Sequence, residues 1–154
     1  MLTVFLADAD ATEALGRSLG RALGPGHFVA LYGDLGAGKS CLARGIARGL
    51  GVTGPVPSPT YTLVAVYEEL PVPLAHADWY RLADEEELEQ LGWDDLTDGR
   101  VVVVEWPGNV PEALPGDRLE VDLVDDAAAD GTPARRATLR PTGPRHEALL
   151  AHLP

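Results

Sequence analysis

The chain has 154 residues, 24 acids against 12 bases for a formal net charge of −12, 45% apolar residues and 23% charged ones. That balance excludes intrinsic disorder, and one globular domain spanning residues 1–154 is long enough to bury a core without disulfide or metal staples. The lone Cys41 excludes a disulfide framework and a thiolate zinc cluster, and with neither a basic leader nor an 18-residue apolar run the chain reads as cytosolic, without signal peptide or membrane span.

Residues 2–6 are rich in β-formers and read as a strand. Asp10 with Glu13 has capping-box spacing, and Leu15, Leu19, Ala22 and Leu23 recur on one helical face until Gly24-Pro25 ends it. The apolar run 27–32 reads as a strand buried on both faces, and Leu42, Ile46 and Leu50 mark a helix from Lys39 that closes at Gly51. Residues 52–62 hold too many prolines for a helix and read as an ordered loop, followed by neighbouring strands at 63–70 and 74–78. Asp84 caps a short helix through Leu88 and Leu91 to Gly92, and Val101 to Val104 is the most β-prone run, expected at the centre of a sheet. Alternation at Leu119, Val121 and Leu123 reads as a strand paired with 135–140, and Pro144 opens a last helix.

Gly33-Asp34-Leu35-Gly36-Ala37-Gly38-Lys39-Ser40 matches G-x-x-x-x-G-K-[ST] between a buried strand and a helix, the context a phosphate-binding P-loop requires. Glycines let the backbone curl so that several N–H groups face one concavity, and the helix N-terminus adds positive potential. Lys39 is expected between β- and γ-phosphates, with the Ser40 hydroxyl on Mg²⁺. Of the 12 bases, 11 are arginines, and the only lysine falls where the motif needs it. Cys41, next in the chain, completes the expected nucleotide contacts, while its thiol reads as a small side chain buried against the sheet.

Glu105, ending the run from Val101, is the expected second Mg²⁺ ligand at the carboxyl end of the sheet. Asp78 ends another apolar segment and is either a metal-water ligand or base for an attacking water, or the partner of Arg81 in a salt bridge. Thr60 and Thr62 are either a γ-phosphate sensor or loop threonines that satisfy backbone groups. Trp106 packs beside a nucleotide, against a partner, or in the core. The four histidines lack metal-ligand spacing and read as surface or packing residues. A guanine-reading N-K-x-D needs a second lysine, which favours ATP over GTP.

Eight acids and no base fall between Asp84 and Asp98, and six acids against Arg118 alone between Asp117 and Asp130. These runs form either a plain solvated face or a docking face for a basic partner, and they argue against direct nucleic-acid binding. The residues leave three functional classes: an ATPase acting on a partner complex, a small-molecule kinase, and a non-catalytic nucleotide-dependent interaction module.

The P-loop, then Ser58-Pro-Thr-Tyr-Thr-Leu63, His76-Ala-Asp-Trp-Tyr-Arg-Leu82, Glu86-Glu-Leu88 with Gly92, and Glu105-Trp-Pro107, in this order, resemble the TsaE family of bacterial tRNA threonylcarbamoyladenosine biosynthesis ATPases. The resemblance covers roughly residues 5–124 and implies an α/β, P-loop NTPase-like fold: a mixed, mainly parallel sheet flanked by helices, with a C-terminal antiparallel hairpin. It further implies an ATP- and Mg²⁺-dependent ATPase that works on a TsaB/TsaD-like complex, with tRNA met only through those partners. Lys39 would grip phosphate, Ser40 and Glu105 would bind Mg²⁺, Asp78 and the Thr60 to Thr62 loop would serve hydrolysis, and Trp106 would matter for activity. Arg136 would approach the nucleotide from the hairpin. Ser40 departs from the family's commoner Thr but keeps the hydroxyl.

Overall fold

The computed structural model describes residues 1–59, 62–127 and 130–153. In chain order the elements are β1 (Leu2–Leu6), α1 (Ala9–Ala22), β2 (Phe28–Tyr32), α2 (Lys39–Leu50), β3 (Val64–Tyr67), β4 (Leu74–Asp78), α3 (Glu85–Gln90), α4 (Trp93–Thr97), β5 (Val101–Glu105), β6 (Leu119–Asp125), β7 (Arg135–Pro141) and α5 (Pro144–Leu150). The strands form one sheet in the order β1-β7-β6-β2-β5-β4-β3. Its centre, β6-β2-β5-β4, is parallel, while β7 and β3 run against their neighbours. The mainly parallel α/β fold and the C-terminal hairpin are thus as the sequence implies.

The all-valine start of β5 is buried at every position and lies between β2 and β4, as continuous apolar strands do when both sheet faces are covered. On one face Val29, Leu31, Val103, Val121 and Leu139 pack against Leu19 of α1, Leu42 and Ile46 of α2, and Leu149 of α5. On the other, Phe28, Ala30, Val102 and Val104 meet Trp79, Leu88 of α3 and Trp93 of α4.

Several local expectations are corrected. The N-cap of α1 is Asp8, whose Oδ1 accepts the Ala11 N–H at 2.8 Å, and Asp10 lies inside the first turn. Helix α4, opened by Gly92 in the left-handed region (φ 78°), and the 3₁₀ turns Pro107–Asn109 and Pro111–Ala113 are too short to carry a periodic signature. The strand β3 stops at Tyr67, short of the expected Leu70.

The glycines of α1 and α2 form a close helix crossing that apolar periodicity alone does not reveal. A Cβ on Gly16 would stand 2.5 Å from the Leu42 carbonyl oxygen and 2.8 Å from the Gly45 Cα. One on Gly20, Gly45 or Gly49 would overlap the backbone of Ile46, Glu13 or Arg17 respectively. The two backbones therefore touch, and α1 fixes the helix on whose N-terminus the P-loop sits.

Candidate phosphate-binding site

The loop from Gly33 to Gly38 joins β2 to α2, and its curl needs glycine where φ turns positive: Gly38, the N-cap of α2, lies at φ 103°. Lys39 is only 5% exposed. Its Nζ donates to the carbonyl oxygens of Gly33 at 2.6 Å and Asp34 at 2.8 Å, and lies 4.2 Å from the centroid of the Trp106 ring. Burial lowers the Lys39 amine below the usual lysine range, while Glu105, Asp34 and Asp78 pull it back upward.

Side by side at the carboxyl ends of parallel strands, Asp78 of β4 and Glu105 of β5 are register partners. Glu105 is 3% exposed and receives two contacts: Ser40 Oγ donates to Oε1 at 2.9 Å, and His76 Nε2 lies 2.7 Å from Oε2. Asp78 is buried, with its Oδ1 accepting the Tyr80 N–H at 2.9 Å. The chain leaves the sheet at Trp106, which adopts the left-handed conformation (φ 59°) and carries its indole back over Lys39. Tyr80 lies against Trp106, ring centroids 5.0 Å apart, and Asn109 Nδ2 ties down the Tyr80 carbonyl at 2.8 Å.

Lys39, Ser40, Cys41, Asp78, Glu105 and Trp106 thus converge on one cleft of about 380 Å³, with Leu35, Gly36, Gly38, Ser58 and Tyr80. Gly33, Asp34 and Ala37 line a second recess of about 330 Å³ on the other side of the loop, against β6. Ser40 and Glu105 offer hard oxygen ligands 2.9 Å apart, a donor set suited to Mg²⁺ completed by phosphate and water. Among the described residues, no three His, Cys, Asp or Glu side chains stand together as a metal-holding group.

Three expectations change. Arg136 is exposed, and it is Arg135 that reaches the P-loop, its Nε donating to the Ala37 carbonyl and its Nη2 to that of Gly36, both at 2.9 Å. Alternation along β7 carried the signal: Arg135 shares the face of buried Ala137 and Leu139, while Arg136 points the other way. Cys41 is half-buried beside the cleft, its Sγ near the Ala9 carbonyl, rather than packed into the sheet. Thr62 is exposed and does not line the cleft, where Ser58 stands instead, and Thr60 lies outside the described residues. His76, expected as a surface or packing residue, is a further change. Its place two residues before Asp78 puts both on one sheet face, but only the β4–β5 register brings it to Glu105.

A strand, a glycine loop with its lysine, a helix and a strand-end acid facing the loop hydroxyl define the P-loop NTPase-like class. The family model for "Threonylcarbamoyl adenosine biosynthesis protein TsaE" matches residues 6–136, and the chain belongs to the TsaE family. It is 38% identical to the tRNA threonylcarbamoyladenosine biosynthesis protein TsaE of Bacillus subtilis, over 92% of this chain and 87% of that one. To the protein of the same name from Streptomyces coelicolor it is 44% identical, over 75% and 80%. The crystal structure of Bacillus subtilis YdiB superposes with a TM-score of 0.80 at 31% identity, covering 97% of this chain and 91% of that one. No helix among the described residues is long and apolar enough to cross a membrane.

Proposed function

We propose that this protein is a cytosolic, Mg²⁺-dependent ATPase that serves the threonylcarbamoyl modification of tRNA by acting on a TsaB/TsaD-like protein complex. The observation that carries the reading is the joining of Ser40 to Glu105 across the cleft, one residue from Lys39 and beside Asp78, in a chain of the TsaE family. In this reading Lys39 leaves the Gly33 and Asp34 carbonyls to meet the β- and γ-phosphates, and the loop N–H groups complete the cradle. Ser40 and Glu105 would hold Mg²⁺, which when bound neutralises charge on the phosphate oxygens. Asp78, at the same sheet edge, orients a water for in-line attack, and the Tyr80–Trp106 pair covers the cleft.

The acidic runs support a protein partner rather than RNA as the direct contact. Glu85, Glu89, Asp94, Asp95 and Glu112 rim a recess of about 450 Å³ at α3 and α4, a surface that repels phosphate and attracts a basic protein. The test is ATP turnover with and without the TsaB/TsaD-like complex, in parent and Glu105→Ala. The expected result is stimulation by the complex, and a variant that binds nucleotide but hydrolyses it at least about 100-fold more slowly. Phosphate appearing on a small acceptor would instead identify a kinase, and no turnover in either setting an interaction module.

A further inference from the structure

The contact that sequence reasoning passed over is the one between His76 and Glu105. Both residues are almost fully buried, at 2% and 3% exposure. A buried carboxylate engaged by Ser40 accepts hydrogen bonds only, so the 2.7 Å contact at Oε2 places a proton on His76 Nε2. The other ring nitrogen, Nδ1, is buried without a hydrogen-bond partner among the described residues. The geometry therefore assigns a donating N–H to His76 Nε2.

Placement makes this contact directional. His76 lies opposite Val103, two residues before the register pair Asp78 and Glu105, so it sits one step deeper on the face that carries both carboxylates. With Oε2 tied to His76 from below and Oε1 to Ser40 from the cleft side, rotation of the carboxylate breaks both hydrogen bonds together. We propose that His76 is a positioning residue: its Nε2–H holds Glu105 in the orientation that turns Oε1 toward Ser40 and the phosphate cleft. The inference rests on the reading of Ser40 and Glu105 as the Mg²⁺-holding pair. Outer partners of metal ligands are typically worth about 10- to 100-fold in metal affinity or activity.

The experiment compares the parent with His76→Leu and His76→Gln by calorimetric titration with ADP, in Mg²⁺ and in EDTA. Gln carries an amide N–H that reaches the place of the imidazole Nε2. In His76→Leu the Mg²⁺-dependent gain in ADP affinity is expected to shrink about 10-fold, with affinity in EDTA within about two-fold of the parent, and His76→Gln to recover most of the gain. A folded His76→Leu protein with the parent's gain overturns the proposal, as does a folded His76→Gln protein no better than His76→Leu. Should neither variant fold, ¹⁵N resonances of the imidazole in the intact protein decide: a proton on Nε2 supports the proposal, and a bare Nε2 overturns it. If Mg²⁺ brings the parent no gain, the metal reading fails, and the ¹⁵N measurement still judges the His76–Glu105 contact on its own.

Discussion

Lys39 Nζ lies 4.2 Å from the centre of the Trp106 ring while its hydrogens go to the carbonyls of Gly33 and Asp34, so the lysine is held by its own loop. Those interactions keep the buried amine solvated by protein, in a site where burial alone would favour its neutral form. On the proposed reading, phosphate oxygens replace the two carbonyls when nucleotide binds. Lys39→Ala removes that exchange, and with two hydrogen bonds to a charged donor at stake MgATP affinity is expected to fall about 100-fold. Calorimetric titration of parent and variant checks it, and equal affinities contradict the assigned role of Lys39.

Arg135 and Arg136 offer a neighbouring-residue control. Arg135 supplies two charged hydrogen bonds to the P-loop carbonyls of Gly36 and Ala37, whereas Arg136 is exposed. The 3.8 Å approach of Arg135 to the exposed Asp125 adds little. Arg135→Ala should loosen the loop apex and weaken nucleotide binding about 10-fold, with Arg136→Ala close to the parent. The opposite ranking in a side-by-side titration would falsify the placement of the hairpin arginines.

The α1–α2 crossing makes a stability prediction independent of any ligand. A Cβ on Gly20 or Gly49 runs into the backbone of the other helix, and backbone cannot move aside as a side-chain tip does. Gly20→Ala and Gly49→Ala are each expected to destabilise by about 2–3 kcal/mol, roughly 5–10 °C in Tm, despite the helix propensity gained. Gly54→Ala, where a Cβ would meet nothing within 4 Å, should leave Tm within about 2 °C. Melting curves that rank Gly54→Ala with the helix variants would contradict the close packing.

What the sequence made legible follows from which interactions are local. The P-loop is contiguous, so Gly33 to Ser40 can be read directly, and a four-valine run can be assigned to the sheet centre because only a strand covered on both faces tolerates it. Glu105 was accessible because it ends that run. The contacts of His76 with Glu105, Arg135 with the loop, and Gly20 with Gly49 span 29, 98 or more, and 29 residues of chain, and each depends on a strand register or helix crossing angle. Composition and periodicity do not encode such relationships, although the alternation of β7 already separated the two arginines.

At the base of α5, His27, His146 and Asp117 form a chain of contacts on which acid stability depends. His27 Nδ1 accepts the Gly24 N–H at 2.8 Å, and its ring meets that of His146, centroids 5.0 Å apart. His146 in turn accepts the Phe28 N–H on Nε2 at 2.9 Å and contacts Asp117 through Nδ1 at 2.7 Å. Burial first, then the nearby His146 and Arg145, push the His27 imidazole below its ordinary 6.5, so just below that pH the unfolded chain binds more protons than the folded one. This contribution to stability is complete above pH 6.5 and declines as pH falls from there toward the lowered folded value. For Asp117, burial pushes the carboxyl up, but hydrogen bonds from the His146 ring and from the Arg145 and His146 N–H groups outweigh it, leaving it below the ordinary 3.8. Its contribution is present above pH 3.8 and is lost as pH falls through the lowered value, so it marks a separate, more acidic step. His27→Asn keeps an acceptor near the Gly24 N–H but does not titrate. Its Tm should therefore fall less steeply than the parent's just below pH 6.5, while both proteins share the later loss. Parallel Tm curves through the first interval would show that His27 is not the group responsible.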